Sequence, residues 1–340
     1  MNGKRNGPGK PPGPAAPFVS RPSPQAHQTD LVLRRMGFDG QRVGTAPAIQ
    51  TSSFTGSPAQ SPRPNRTAET TLARRDWLLS VMERQRSLST AASALIRCEG
   101  ITAEQFLEHF YAPSRPCVIA GALADWPALQ LWTPEYLRGT VGDAPVEFQG
   151  RREAAGDFEL AKDRHKQTLP FSAYLDLVEA NPGNDAYVTA YNSSANRAAF
   201  APLMRDVRPL PNLLGPGEGM LWVGPAGTFT PLHFDLTNNL LIQITGRKRL
   251  LLVPPSQTRL LSHHRHVFSD VHDLEDEACM KRHPLAQQVQ PYVVTLEAGD
   301  MLFIPVGWWH QVRSLDFSVM ITCTNFLWPN NAWQDYPADS

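Results

Sequence analysis

The sequence predicts a mainly β protein with flanking helices, built as a double-stranded β-helix, or jelly-roll. Three observations carry that reading. From Gly219 to Trp328, β-branched and leucine-rich runs alternate with Gly and Pro turns, the pattern of an antiparallel sandwich or barrel. Upstream, helical periodicity at 67–88, 102–111, 133–139 and 170–180 alternates with short strand-like runs at 116–120, 145–149 and 186–189. Within the β-rich core, His233 and Asp235 stand two apart, so that a strand would project both from one face.

The elements follow in chain order. Residues 1–65 hold 11 of the 31 prolines, eight Lys or Arg and only two Asp, with repeated Gly, Ser and Gln. Such a segment buries too little apolar surface to offset its ordering entropy and reads as a disordered basic tail. The island DLVLRRMGFDGQRVG inside it reads as a solvated linker. Residues 66–95 form an N-terminal amphipathic segment, with Leu72, Trp77, Leu79 and Met82 expected to pack on the barrel or between two copies of the chain, a possible homodimer. Residues 96–340 form the main domain, with its barrel core at 219–328. Trp126, Trp132 and Tyr136 are expected in the core beneath the barrel.

The spacing of the polar residues in the β-rich core points to a metal. A neutral imidazole and a carboxylate on one strand face suit a divalent first-row ion, and two His with one carboxylate make the facial triad of non-haem Fe(II) oxygenases. His310, in the later apolar run after Pro305-Val306-Gly307, is the strongest candidate for the third ligand. The strand bearing the first pair is expected to run on through Asn239, Leu241 and Gln243. It should then turn at Thr245-Gly246-Arg247 as a hairpin into the strand opened by Lys248. A lysine ammonium there could hold the far carboxylate of a metal-chelating dicarboxylate.

These residues resemble the JmjC/cupin-like Fe(II)- and 2-oxoglutarate (2OG)-dependent oxygenases, especially the factor-inhibiting-HIF-like and small JmjC-only hydroxylases. The resemblance rests on Thr230, His233-x-Asp235, Asn239, Lys248, the run Gly299–Pro305, Trp308-Trp309-His310 and Asn325, and it covers roughly residues 75–328. It implies that His233, Asp235 and His310 bind Fe(II), and that Lys248 and Thr230 hold the distal carboxylate of 2OG, joined by Tyr187. Asn239 and Asn325 would line the metal-chelating end. With O2 as oxidant, such an enzyme releases succinate and CO2 and hydroxylates a side chain of a protein or peptide. Alternatives within the chemistry are N-methyl-lysine demethylation and hydroxylation of a small molecule or RNA. Demethylases of this family usually place Glu where this chain has Asp235. The non-enzymatic alternative is a cupin-like binding module.

Composition excludes little else. Thirty-two basic residues balance 32 acidic ones, so no global charge points to nucleic acid. Cys98, Cys117, Cys279 and Cys323 show no C-x-x-C spacing, which reads as a reducing, cytoplasmic setting. No apolar run reaches the ~18 residues of a membrane span. His263, His264, His266 and His272 read as a solvated insertion loop rather than a second metal site.

Overall fold

The computed structural model describes residues 66–89, 94–154, 156, 158–189, 194–263 and 266–337. The basic tail at 1–65 lies outside the described residues. The strands are β1 (Ile96–Glu99), β2 (Cys117–Ala120), β3 (Pro145–Gln149), β4 (Lys166–Pro170), β5 (Met220–Gly224) and β6 (Phe229–Phe234). They continue with β7 (Asn239–Thr245), β8 (Lys248–Val253), β9 (Tyr292–Leu296), β10 (Met301–Ile304), β11 (Trp309–Ser314) and β12 (Ser318–Cys323). A six-stranded sheet runs β1-β2-β10-β7-β12-β5, a four-stranded sheet runs β6-β11-β8-β9, and β3 pairs with β4. All these pairings are antiparallel except β1 with β2. This is the jelly-roll expected from the alternating runs.

Period-two alternation divides the side chains of the larger sheet between two cores. On β7, Leu240 and Ile242 pack with the helices, among Phe106, Trp126 and Phe171, while Leu241 points between the sheets. On β12, Val319 and Ile321 join the first core and Met320 the second. Leu250 and Leu252 of β8 and Val312 of β11 close the inner core from the opposite sheet, against Leu302 and Ile304 of β10. Trp126 and Trp132 are buried as expected. Trp132 Nε1 and the Tyr136 hydroxyl both donate to Asp206.

Three details differ from the sequence reading. The expected hairpin across Thr245-Gly246-Arg247 is a corner between sheets, since β7 and β8 pair with different partners. Gly246 is required there: its φ is +69°, and a Cβ would lie 2.1 Å from the Phe317 carbonyl oxygen. The helix Arg66–Arg86 turns a polar face to the barrel: Ser256 and Gln257 donate to Glu83, and Arg86 donates to Tyr292. Leu72, Trp77 and Met82 are exposed, Trp77 at 60%. Residues 186–189 form isolated bridges at Tyr187 and Val188 instead of a strand.

The stretch at 262–290 is also more than a solvated loop. Leu261, Val271, Cys279 and Ala286 are buried with Trp309 in a third apolar cluster, and Glu277–Arg282 is helical. His263 sits edge-on to Trp309, and His264 lies outside the described residues.

Candidate metal centre

The antiparallel pairing of β6 with β11 places His233 directly opposite His310, with ring centroids 4.2 Å apart. Asp235 lies one residue beyond the end of β6, so the strand bearing the pair stops rather than continuing through Asn239. The chain crosses between the sheets over residues 235–238, and β7 starts in the opposite sheet. Asp235 Oδ1 is 3.9 Å from His233 Nε2, and Asp235 Oδ2 is 3.8 Å from His310 Nε2. The three donor atoms converge within 4.8 Å of one another.

Hydrogen bonds fix the orientation of each donor. His233 Nδ1 lies 2.8 Å from the Pro231 carbonyl oxygen, and His310 Nδ1 lies 3.0 Å from that of Trp308. A ring nitrogen facing a carbonyl carries the proton, which leaves each Nε2 lone pair turned toward Asp235. Burial pushes the His310 imidazole down to about 4, reinforced by the charge of His233, and burial also lowers His233. Burial raises the Asp235 carboxyl, but the two imidazoles and the Asn239 amide outweigh it and hold the group below the usual carboxylate range. Neutral imidazoles beside an ionised carboxylate are the protonation states that ligate a divalent ion.

Thr230 shares the interior face with His233 although they stand three apart. Opposite them, His310 and Val312 stand only two apart, so β6 carries an extra residue in a bulge around Pro231. One cavity between the sheets is lined by Tyr187, Trp222, Thr230, His233, Asp235, Asn239, Leu241, Lys248, His310, Val312, Met320 and Thr322. Seven of the eight residues singled out from the sequence therefore face one space.

The eighth, Asn325, is not among these lining residues. Its Nδ2 donates to the Gly215 carbonyl at 2.6 Å, and its backbone carbonyl accepts from Gly215 N, so it pins the 213–217 segment. It also follows β12 rather than lying on it. Trp222 and Thr322, which the sequence reading missed, share a hydrogen bond of 3.0 Å from Trp222 Nε1 to Thr322 Oγ1. Only knowledge of which strand face turns inward would have revealed them. Lys162 was also missed; its charge helps lower Asp235.

Lys248 is the least ordinary member of the set. It is 1% exposed, and among the described residues no carboxylate pairs with it. Its Nζ donates to the Tyr187 hydroxyl at 2.7 Å. Burial alone pushes the ammonium down to about 7. Arg152, fully buried, stands 5.2 Å above the Tyr187 ring and donates to the Phe229 carbonyl, which holds the tyrosine from behind.

The jelly-roll interior thus gathers two imidazoles, a carboxylate and a buried lysine, a class of site with the donors to hold a metal ion. Comparison with known proteins narrows the class. The cupin-like domain family matches residues 103–332. The lysine-specific demethylase JMJ30 of Arabidopsis thaliana is 31% identical over 243 residues, covering 68% of this chain and 54% of that protein. The human tRNA wybutosine-synthesizing protein 5 is 29% identical, over 68% of this chain and 76% of that protein. The human bifunctional peptidase and (3S)-lysyl hydroxylase JMJD7 is 28% identical, over 68% and 82%. The chain belongs to the cupin-like JmjC family of Fe(II)- and 2OG-dependent oxygenases. It spans about half the length of the Arabidopsis relative. No helix among the described residues is long and apolar enough to cross a membrane.

Proposed function

We propose that this protein is an Fe(II)/2OG-dependent hydroxylase acting on a side chain of a protein or peptide. The observation that carries the reading is a buried lysine without an acidic partner in the same cavity as the His233–Asp235–His310 cluster. A buried ammonium lacking a counter-ion is a site for an anion. An ion at the other three residues would fix the opposite end of a dicarboxylate.

The residues present fit both groups. His233 Nε2, His310 Nε2 and an Asp235 oxygen would hold the iron. Lys248 and Thr230 would bind the distal carboxylate, with Tyr187 holding the ammonium in place. Asn239 donates to Asp235 Oδ2 at 3.0 Å, while its own Oδ1 is buried with no partner among the described residues and is available to a donor on the bound co-substrate or its water. When bound, iron and 2OG supply O2 activation coupled to decarboxylation of 2OG to succinate and CO2, with oxidation of a nearby C–H bond. Leu241, Val312 and Met320 keep the co-substrate end of the cavity apolar and exclude water from it.

Hydroxylation is the outcome we favour over demethylation, since Asp235 occupies the position where demethylases of this family usually carry Glu. The names of relatives such as JMJ30 support N-methyl-lysine demethylation as a second reading. The deciding experiment titrates anaerobic apo-protein with Fe(II) and then 2OG, following the visible charge-transfer band of chelated 2OG. We expect the band in the wild type and its loss in Asp235→Ala. Its absence from folded, metal-loaded wild type would overturn the assignment. Mass spectrometry of peptides after turnover then separates a gain of oxygen from release of formaldehyde.

A further inference from the structure

We infer that His272, Asp276 and Cys279 form a second, structural metal site with the donor set of Zn(II). It shares no residue with the first cluster, and among the described residues these two groups alone bring three metal-ligating side chains so close together. The spacing His-x3-Asp-x2-Cys runs from an ordered loop into the helix Glu277–Arg282.

The geometry approaches that of a coordinated ion. Cys279 is fully buried, and its Sγ lies 3.7 Å from His272 Nδ1. Zinc bonds of ~2.3 Å to sulfur and ~2.0 Å to nitrogen place two donors of a tetrahedron roughly 3.5 Å apart. All three donor atoms lie within 4.8 Å of one another, so Asp276 needs only a small adjustment to join them. The Asp276 carboxylate is already oriented, its oxygens accepting from Ala278 N at 3.4 Å and Cys279 N at 2.8 Å. A carboxylate has roughly four lone-pair positions, so both oxygens retain capacity for an ion. His272 is exposed, which leaves an entry side and a fourth position for water.

The loop is held ready by two neighbouring strands of the four-stranded sheet, β6 and β11. The His272 carbonyl accepts from Leu232 N at 2.9 Å, beside the ligand candidate His233. Asp273 accepts from Gln311 Nε2 at 2.9 Å and from Arg313 at 2.8 Å, beside His310. Pinned ligands of this kind lose little entropy on binding. The same segment carries Phe268, whose ring stacks 5.6 Å from that of His233. A zinc ion would therefore clamp the wall against which the first centre rests.

Cobalt tests this because only the second site offers a thiolate. Apo-protein in a non-chelating reductant is titrated with Co(II), and the near-ultraviolet thiolate-to-cobalt band is recorded. The band should saturate by two equivalents in the wild type and at one equivalent in Asp235→Ala, bleach on addition of Zn(II) and vanish in Cys279→Ser. His272→Gln, at an exposed position, should weaken cobalt binding at least tenfold with unchanged circular dichroism, and it serves if Cys279→Ser does not fold. A wild type without the band at two equivalents would leave the Cys279–His272 contact as a thiol–imidazole hydrogen bond and no site, and a band surviving in folded Cys279→Ser would place the cobalt on another thiolate; either result overturns the proposal. Because Asp235→Ala removes only the first centre, failure of the oxygenase assignment leaves this result readable.

Discussion

An ammonium buried without a counter-ion destabilises the protein that holds it, and Lys248 shows the effect most plainly. Its pKa falls from an ordinary 10.5 to about 7, so between those values the unfolded chain binds the extra proton. Stability therefore rises with pH across that window, and below pH 7 the destabilisation is fully present. Lys248→Met should raise the melting temperature of the ligand-free protein at neutral pH, read by calorimetry. The same variant should weaken 2OG binding about 100-fold, the scale of one lost partner in a buried charge pair of 2–5 kcal/mol. For the wild type, the carboxylate needs the protonated lysine, which the free protein loses above pH 7. The dissociation constant for 2OG, measured with Mn(II), should rise up to about tenfold per unit above pH 7. A flat profile from pH 6.5 to 8.5 would remove Lys248 from the distal carboxylate.

Individual elements show what could and could not be anticipated from residues alone. His233, Asp235 and His310 were legible because their chemistry is rare in an apolar β-rich region. Thr230 was legible only through family resemblance, since its three-residue offset from His233 contradicts a regular strand until the Pro231 bulge is known. The passage from β6 to β7 was misread because continuous polar–apolar alternation does not reveal which sheet a strand joins. Asn325 sits near the right place in sequence, but its Nδ2 donates to Gly215 and it does not line the cavity. The burial of Cys279 depends on β11 and on Trp309, neither of which is local to it. The corner at Gly246 yields a further prediction. Gly246→Ala forces both a positive φ and a clash with the Phe317 carbonyl, and should destabilise the fold by at least about 1–3 kcal/mol. The midpoint of urea unfolding should fall with its slope unchanged, whereas a wild-type midpoint would mean that the corner relaxes freely.

For the whole molecule, the first centre opens on a cavity lined by both sheets, and Asn239 of β7 holds its carboxylate, so ligand binding should be felt globally. Mn(II) and 2OG at about 100 times their dissociation constants should each add about 2.7 kcal/mol of stability, or roughly 5–10 °C apiece. Asp235→Ala should lose the metal increment, a comparison that thermal denaturation makes directly. The strand order has a kinetic consequence as well. β6 and β11, which carry the two imidazoles, are distant in sequence, and β8 and β10 must also find remote partners before the space between the sheets is enclosed. Loop-closure entropy makes such pairings slow, and no local segment of the chain can present the three donors beforehand. The ability of the first centre to capture a metal ion therefore arises only when the last strands dock, which makes its metal uptake during refolding, followed in Cys279→Ser, a clock for barrel closure.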